Sequence, residues 1–234
     1  MADLDTLQNV LGVEFEDVSL LKQALVHRSY LNENPGFELA SNERLEFLGD
    51  ALVGLVVAER LYRQFPELPE GELTRLRSNL VRKETLARSA ASLGLGDYLY
   101  LGRGEELSGG RERESNLART FEAVVGAIFV DRGFTEARDF VLEKLGEELE
   151  RVIWDESAVD YKSVLQQFIQ SKMQLAPVYR TVSEAGPEHE REFSVEVLVG
   201  DKVIGRGEGR SKQAAEKEAA RTALERLSQE GEEV

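Results

Sequence analysis

The spacing of apolar residues changes once along the chain, near residue 154, and this change separates two kinds of predicted structure. Before it, the segments 43–64, 72–92, 115–131 and 135–152 carry apolar residues at helical spacing. Glycine or proline marks many of the segment ends, and no stretch there alternates as a strand does. Residues 1–153 are therefore predicted to form an all-α domain.

Beyond this point the chain reads as one helix, three short strands and a second helix. Residues 160–173 form the first helix, and 178–185, 191–200 and 202–209 have the composition and alternation of strands. Ser211 is placed to cap an alanine-rich helix over 212–227. The fold class expected for the whole chain is α+β. The predicted divisions are an all-α domain at 1–153, a linker at 154–159, an α-β-β-β-α domain at 160–228 and an acidic tail at 229–234.

The charge of the chain limits how it could bind a polyanion. The net charge is −15, and most of the acid excess lies in residues 1–157, where 30 Asp and Glu face 18 Lys and Arg. A nucleic-acid partner must therefore be held by local basic patches, and its affinity should fall steeply with salt. With no cysteine, disulfides, thiolate metal sites and a thiol nucleophile are excluded.

The sequence shows neither a long apolar run that could span a membrane nor the pattern of a signal peptide at its N-terminus. We therefore expect a cytoplasmic protein without a membrane partner. The glycine-rich stretch GRGEG at 205–209 lacks the Lys-Ser/Thr of a phosphate-binding loop, so no nucleotide cofactor is expected.

Three acids in the predicted helix 43–64 point to metal chemistry. Glu43, Glu46 and Asp50 stand at i, i+3 and i+7 and so share one helical face. Oxygen ligands that converge in this way suit a hard divalent cation. The alternative is a solvated acidic face. The rest of the helix is strongly apolar, and acids on a helix that is mostly buried need partners or a metal, but spacing alone leaves both readings open.

A second apolar helix, predicted within 115–133, also contains an acid among apolar residues. Glu122 stands among alanine, valine and phenylalanine, a costly place for a carboxylate without a partner. It is either a further ligand or one half of an internal ion pair with Arg119, three residues earlier.

The segments NERLEFLGD (42–50), ALVHRSY (24–30), EGELTRLRSNLVR (70–82) and NLARTFEAVVGAIFVD (116–131) together resemble the ribonuclease III family. The C-terminal block, from DYKSVLQQFIQ to GRGEGRSKQAAEKEAARTAL, resembles a double-stranded-RNA-binding domain. The resemblance covers residues 5–228 in the order of the family. It implies a homodimeric endoribonuclease that hydrolyses double-stranded RNA to 5′-phosphate and 3′-hydroxyl ends with Mg²⁺, for which Mn²⁺ can substitute. The cellular roles it implies are ribosomal RNA precursor processing and messenger RNA processing and decay.

The resemblance also assigns residues to the nuclease site. Those at catalytic positions are Asp50, Glu122, Glu43 and Glu70, and those at metal positions are Glu46, Asp50 and Glu122. Phe47 matches an aromatic residue of the family's dimer interface, although an ordinary core phenylalanine would also fit the pattern.

Arg119 departs from the family, which usually has an aspartate three residues before the matching glutamate. This change replaces an acid with a permanent cation. Arg119 could displace a metal ion or its water, pair with Glu122, or swing away to contact RNA phosphate. It also keeps open a second function, a double-stranded-RNA-binding protein with weakened catalysis.

The resemblance implies three RNA contacts in the second domain: its first helix, the loop between its first two strands, and the start of its last helix. Duplex RNA is recognised mainly through phosphates and 2′-hydroxyls, which suits such polar side chains. The residues at these positions are Ser163, Gln166, Gln167 and Gln170, then His189, and then Ser211, Lys212, Gln213 and Lys217.

Overall fold

The computed structural model describes residues 3–154, 160–185 and 191–231 of the 234-residue chain. The chain divides into two compact units, Met1–Tyr62 with Thr74–Val152 and Arg63–Leu73 with Ile153–Val234. Within the described ranges, no helix is both long and apolar enough to cross a lipid bilayer.

The chain as far as residue 154 is built from helices. In order they are α1 Leu4–Leu11, α2 Val18–Ala24, α3 Arg28–Glu33, α4 Glu43–Gln64, α5 Glu70–Leu80, α6 Lys83–Ser92, α7 Leu95–Tyr98, α8 Arg103–Leu107, α9 Glu114–Arg132, α10 Phe134–Lys144 and α11 Gly146–Trp154. Two predicted helices are each divided in two. The segment 72–92 breaks because Arg82 is extended (φ −67°, ψ 152°), and 135–152 breaks between Lys144 and Gly146.

Helix α9 forms the centre of the first unit, with Phe121, Val124 and Ile128 fully buried. It crosses α4 where a glycine of each helix meets the other's backbone. A Cβ atom on Gly49 would lie 1.8 Å from the carbonyl oxygen of Glu122, and one on Gly126 would lie 2.2 Å from that of Leu45. Only glycine permits this approach, which brings Glu46 and Asp50 of α4 beside Glu122 of α9.

A short backbone junction sets the start of α4. Val26 and Tyr100 form an isolated bridge, in which Tyr100 donates its N–H to Leu25 and His27 donates to Tyr100. The N–H of Asn42 donates to the carbonyl of Val26 at 2.9 Å. The junction therefore ties the segment before α3, the segment after α7 and the first turn of α4 to one another.

The second unit contains α12 Tyr161–Met173, the strands β1 Val178–Ala185, β2 Glu192–Val199 and β3 Lys202–Gly209, and α13 Lys212–Gly231. The sheet is antiparallel in the order β1-β2-β3. The stretch GRGEG lets α13 lie directly on β3, because a Cβ on Gly207 would stand 2.2 Å from the Ala219 nitrogen. These glycines therefore serve packing.

The predicted fold class is confirmed: a helical domain precedes an α-β-β-β-α domain. The strand bounds agree to within one residue, and α13 continues beyond residue 227 to Gly231. Most of the predicted linker, residues 155–159, lies outside the described residues, as does His189.

Candidate active site and nucleic-acid interface

The acids of α4 lie on one face, as their spacing predicts, but in different surroundings. Asp50 is exposed, and Glu46 is half-buried. Glu43 is exposed at the first residue of the helix, where its carboxylate accepts a hydrogen bond from the Ser41 hydroxyl at 2.8 Å. Arg28 stands 4.0 Å from the same carboxylate. Glu43 therefore has local partners, and the other two acids face α9.

Glu122 on α9 is the most perturbed acid of the first unit. Burial, reinforced by the negative charges of Asp50 and Glu46, raises its pKa from 4.5 to about 7. Burial also raises the pKa of Glu46. The crossing of α4 and α9 therefore gathers carboxylates that repel one another, and a bound cation would relieve that repulsion.

Arg119 forms its ion pair with Glu46. Its Nε lies 3.3 Å from Oε1 of Glu46 on the neighbouring helix, and the two side chains are 54% and 24% exposed. The sequence named Glu122, on the same helix, as the ion-pair partner of Arg119, whereas the structure shows the pair with Glu46 on α4, which the sequence did not suggest. Arg119 still lowers the pKa of Glu122 electrostatically, against the larger effect of burial.

Glu46, Asp50 and Glu122, called here the acidic cluster, fit a divalent ion by their chemistry. They offer hard oxygen ligands and an excess of negative charge. Their positions alone do not form a metal site. Among the described residues, no group of three or more His, Asp or Glu side chains is close enough together to hold a metal ion. An ion bound here must draw carboxylates together, and Glu46 is already engaged by Arg119.

A cleft beside the acidic cluster contains residues that the sequence did not single out. It is lined by Glu43, Glu46 and Arg119 together with His27, Arg28, Asn42, Leu99, Asn116 and Thr120. His27 Nδ1 lies 2.7 Å from the Ser29 hydroxyl, which accepts a hydrogen bond from the Gly102 N–H. Burial lowers the pKa of His27, so its ring is mostly neutral at pH 7.

Asn116 anchors the wall of this cleft. Its amide donates hydrogen bonds of 2.9 Å to the carboxylate of Glu105 and to the carbonyl of Gly110. The Asn116 hydrogen bond, and then the Arg113 charge, hold the pKa of Glu105 below its usual range. A polar residue inside an apolar helix, as Asn116 is in α9, was the available sequence signal for this role.

Phe47 is 78% exposed, so it is not a core residue of the described chain. Leu55 and Tyr62, at 55% and 71% exposure, follow at intervals of eight and seven residues on the same side of α4. These three residues form an apolar face, called here the α4 face.

Glu70, also predicted at the nuclease site, is the exposed first residue of α5. It falls within the second compact unit, whereas the acidic cluster belongs to the first. Its participation stays a prediction.

In the second unit, the polar residues predicted to bind RNA lie on the surface. The described residues at exposed positions are Ser163, Gln166, Gln167, Gln170, Ser211, Lys212 and Gln213, and Lys217 is half-buried. Two of the hydroxyls also act in helix capping. Ser211 accepts a hydrogen bond from the Ala214 N–H, and Ser163 donates to Asp160.

An ion pair joins α12 and α13 in this unit. Lys162 on α12 lies 2.7 Å from Glu216 on α13 and 4.7 Å from the ring centre of Tyr179. A basic side chain near the predicted RNA-binding face is thus partly neutralised within the protein.

Two family descriptions match the chain in the order of its units. Residues 17–149 match "Ribonuclease-III-like", and residues 161–227 match "Double-stranded RNA binding motif". A helical domain with an acidic cluster, followed by a double-stranded-RNA-binding domain, is the class that fold and site define. The chain belongs to the ribonuclease III family.

Named relatives agree along nearly the whole chain. It is 52% identical to Ribonuclease 3 of Dehalococcoides mccartyi, over 97% of this chain and 96% of the relative, and 48% identical to Ribonuclease 3 of Roseiflexus sp. over 96% and 95%. A structure of the nuclease domain of ribonuclease III from Campylobacter jejuni matches with a TM-score of 0.59 at 38% identity. It covers 63% of this chain and 99% of that one, and is described as flexible in a region involved in dimer formation.

Proposed function

We propose that this protein is an endoribonuclease that cleaves double-stranded RNA and leaves 5′-phosphate and 3′-hydroxyl ends. The observation that carries the proposal is the acidic cluster at the glycine crossing of α4 and α9. Membership of the family and the C-terminal double-stranded-RNA-binding motif support the choice of substrate.

The family is generally dependent on a divalent metal ion. We propose Mg²⁺ at the acidic cluster, with Mn²⁺ able to substitute. A bound ion of this kind would polarise the phosphate and provide an activated water. The protein's own part is to hold Asp50 and Glu122 in place and to keep a cleft open beside Glu46.

Binding of the duplex is assigned mainly to the second unit. Its exposed glutamines on α12 can hydrogen-bond sugar hydroxyls, and Lys212 at the start of α13 can meet phosphate. The N-terminus of α13 adds backbone N–H groups that favour an anion. Because the whole chain is acidic, this local patch must supply the attraction.

We further propose that two copies associate through the α4 face. Three large apolar side chains exposed on one helix are typical of an interaction surface. A dimer would carry two nuclease sites, one for each strand. The cellular roles proposed are maturation of ribosomal RNA precursors and processing and decay of messenger RNA, in the cytoplasm.

The test is cleavage of an end-labelled RNA hairpin with Mg²⁺ by the parent, Glu122→Gln and Glu136→Gln. Glu136 is an exposed acid on α10 and serves as the matched control. We expect the parent and Glu136→Gln to yield 5′-phosphate products, and Glu122→Gln to bind the hairpin without cutting it. Cleavage by Glu122→Gln at the parent rate would refute the site.

A second function, duplex binding with weakened catalysis, is favoured by the pairing of Arg119 with Glu46. It predicts that the parent binds the hairpin without cutting, whereas Arg119→Asp cuts it.

A further inference from the structure

Arg119 places a positive charge among three carboxylates. Its Nε lies 3.3 Å from Oε1 of Glu46, and Glu122 follows three residues later on the same helix. A guanidinium does not lose its proton in a protein, so this charge is present at every working pH. The cluster therefore begins with one of its negative charges already balanced.

This arrangement divides the acids into two sets. Glu46 is paired with Arg119 on α9, whereas Asp50 and Glu122 form no ion pair within the described residues. A divalent ion that used Glu46 as a ligand would have to displace Arg119 and would then stand close to a like charge. A divalent ion could bind to Asp50 and Glu122 without displacing Arg119 from Glu46.

The outer edge of the guanidinium is available to a substrate. The ion pair uses Nε, 54% of the side chain is exposed, and its terminal N–H groups make no hydrogen bond within the described part of the chain. Arginine presents N–H donors in a fixed fork that matches the oxygens of a phosphate. The cleft beside it also contains Arg28 and Asn116.

Resting on the function proposed above, we propose that Arg119 is a built-in cation of the nuclease centre. It retains Glu46 in an ion pair, limits each subunit to one divalent ion held by Asp50 and Glu122, and binds a phosphate of the RNA backbone with its outer N–H groups.

Counting Mn²⁺ ions by calorimetry tests the first part, with the full-length parent, Arg119→Asp, Arg119→Gln and Arg132→Gln. Arg132 lies on the same helix and pairs with Glu16 at 2.9 Å, which makes it a matched control. We expect one ion per chain for the parent and the control, and two for Arg119→Asp. Arg119→Gln, which frees Glu46 without adding an acid, should bind its first ion more tightly.

This part would be overturned if the parent bound two Mn²⁺ ions per chain. It would also be overturned if Arg119→Asp bound the same number of ions as the parent and Arg119→Gln bound its ion with the same affinity. Glu122→Gln separates the two proposals. If it binds Mn²⁺ as the parent does, the acidic cluster is not the metal site, and the proposed function fails at that point. If Glu122→Gln no longer binds Mn²⁺, the acidic cluster is the metal site, and the number of ions bound by the Arg119 variants tests the role of Arg119 alone.

Binding of duplex RNA without divalent metal tests the second part. In that state Arg119 is the cation that the acidic cluster itself offers. We expect Arg119→Gln to weaken binding and to reduce the dependence of log K on log salt by about one unit, as for the loss of one phosphate contact. Arg132→Gln should match the parent. An Arg119→Gln protein with the affinity and salt dependence of the parent would refute the phosphate contact.

Discussion

At the scale of the residue, the Glu122 carboxyl shows how a residue of the candidate active site can be costly to the fold that carries it. It is half-buried, and two acids of α4 raise its pKa to about 7. Because the folded protein binds this proton more tightly than a free carboxyl with a pKa of 4.5, ionisation of Glu122 opposes folding. The cost is absent below about pH 4.5 and grows as the pH rises through 7.

Glu122→Gln should therefore stabilise the metal-free protein at alkaline pH. We expect a gain of about 1–2 kcal/mol at pH 8, smaller than the full pKa shift implies because solvent partly screens the site. Urea unfolding of parent and variant in EDTA, at pH 8 and pH 4.5, measures it. The difference should vanish at pH 4.5, and equal stabilities at both pH values would contradict the prediction.

At the scale of the element, the position of the acidic cluster depends on how closely α4 and α9 approach. Gly49 and Gly126 each lie against the backbone of the opposite helix, at places where a Cβ would overlap a carbonyl oxygen. Glycine inside a helix costs about 1 kcal/mol relative to alanine. The chain accepts this cost twice, and the result is that Glu46 and Asp50 stand beside Glu122.

Gly49→Ala should separate the two helices and impair both stability and cleavage. We expect a loss of about 3 kcal/mol or more, because the added methyl meets backbone that cannot rotate away. Gly104→Ala on α8 is the control, since its Cβ would meet nothing within 4 Å. It should change the free energy of unfolding by no more than about 1 kcal/mol. Thermal and urea unfolding distinguish the two, and equal effects would refute the crossing.

In the second unit, the ion pair between α12 and α13 limits the basic charge offered to RNA. Glu216→Gln should release Lys162 and remove an acid beside the predicted phosphate-binding helix. We expect duplex affinity to rise roughly threefold at 0.1 M salt, and the gain to shrink as salt increases. Asp201→Asn, which removes an exposed acid in the turn between β2 and β3, away from the predicted RNA contacts, is the control. Fluorescence polarisation without metal would measure both, and equal gains would exclude a specific role for Glu216.

At the scale of the whole molecule, cutting both strands of a duplex calls for two nuclease sites, and each chain has one acidic cluster. The α4 face supplies an apolar surface through which two chains could associate. In a symmetric dimer each residue of such a face is used twice, so its contribution to association is doubled.

Phe47→Ala should therefore weaken association strongly. Loss of two buried aromatic side chains, at about 1.5–3 kcal/mol each, predicts a dimer Kd raised by at least about 100-fold. Leu107→Ala is the control, because Leu107 is also 78% exposed but lies on α8. Sedimentation across a range of protein concentrations gives both constants. A parent that is monomeric, or a Phe47→Ala variant that associates like the control, would refute the α4 face as the interface.

The sequence determined what depends on local pattern. Helical spacing placed α4 and α9 within a residue or two of their ends, alternation placed the three strands, and the i, i+3, i+7 spacing put three acids on one face of α4. These features follow from the periods of the helix and the strand, which are readable along the chain. The interruptions at Arg82 and Leu145 were missed, because apolar spacing continues across them.

The tertiary structure decided which residues meet across elements. The sequence suggested Glu122 as the ion-pair partner of Arg119 and missed Glu46, because the pairing depends on how α4 crosses α9. Nor could it decide whether Phe47 is buried, or reveal that Gly49 and Gly126 form the contact. Spacing fixes the face of a helix on which a residue lies, but its neighbour on that face is set by long-range packing, which a pattern confined to one helix does not encode.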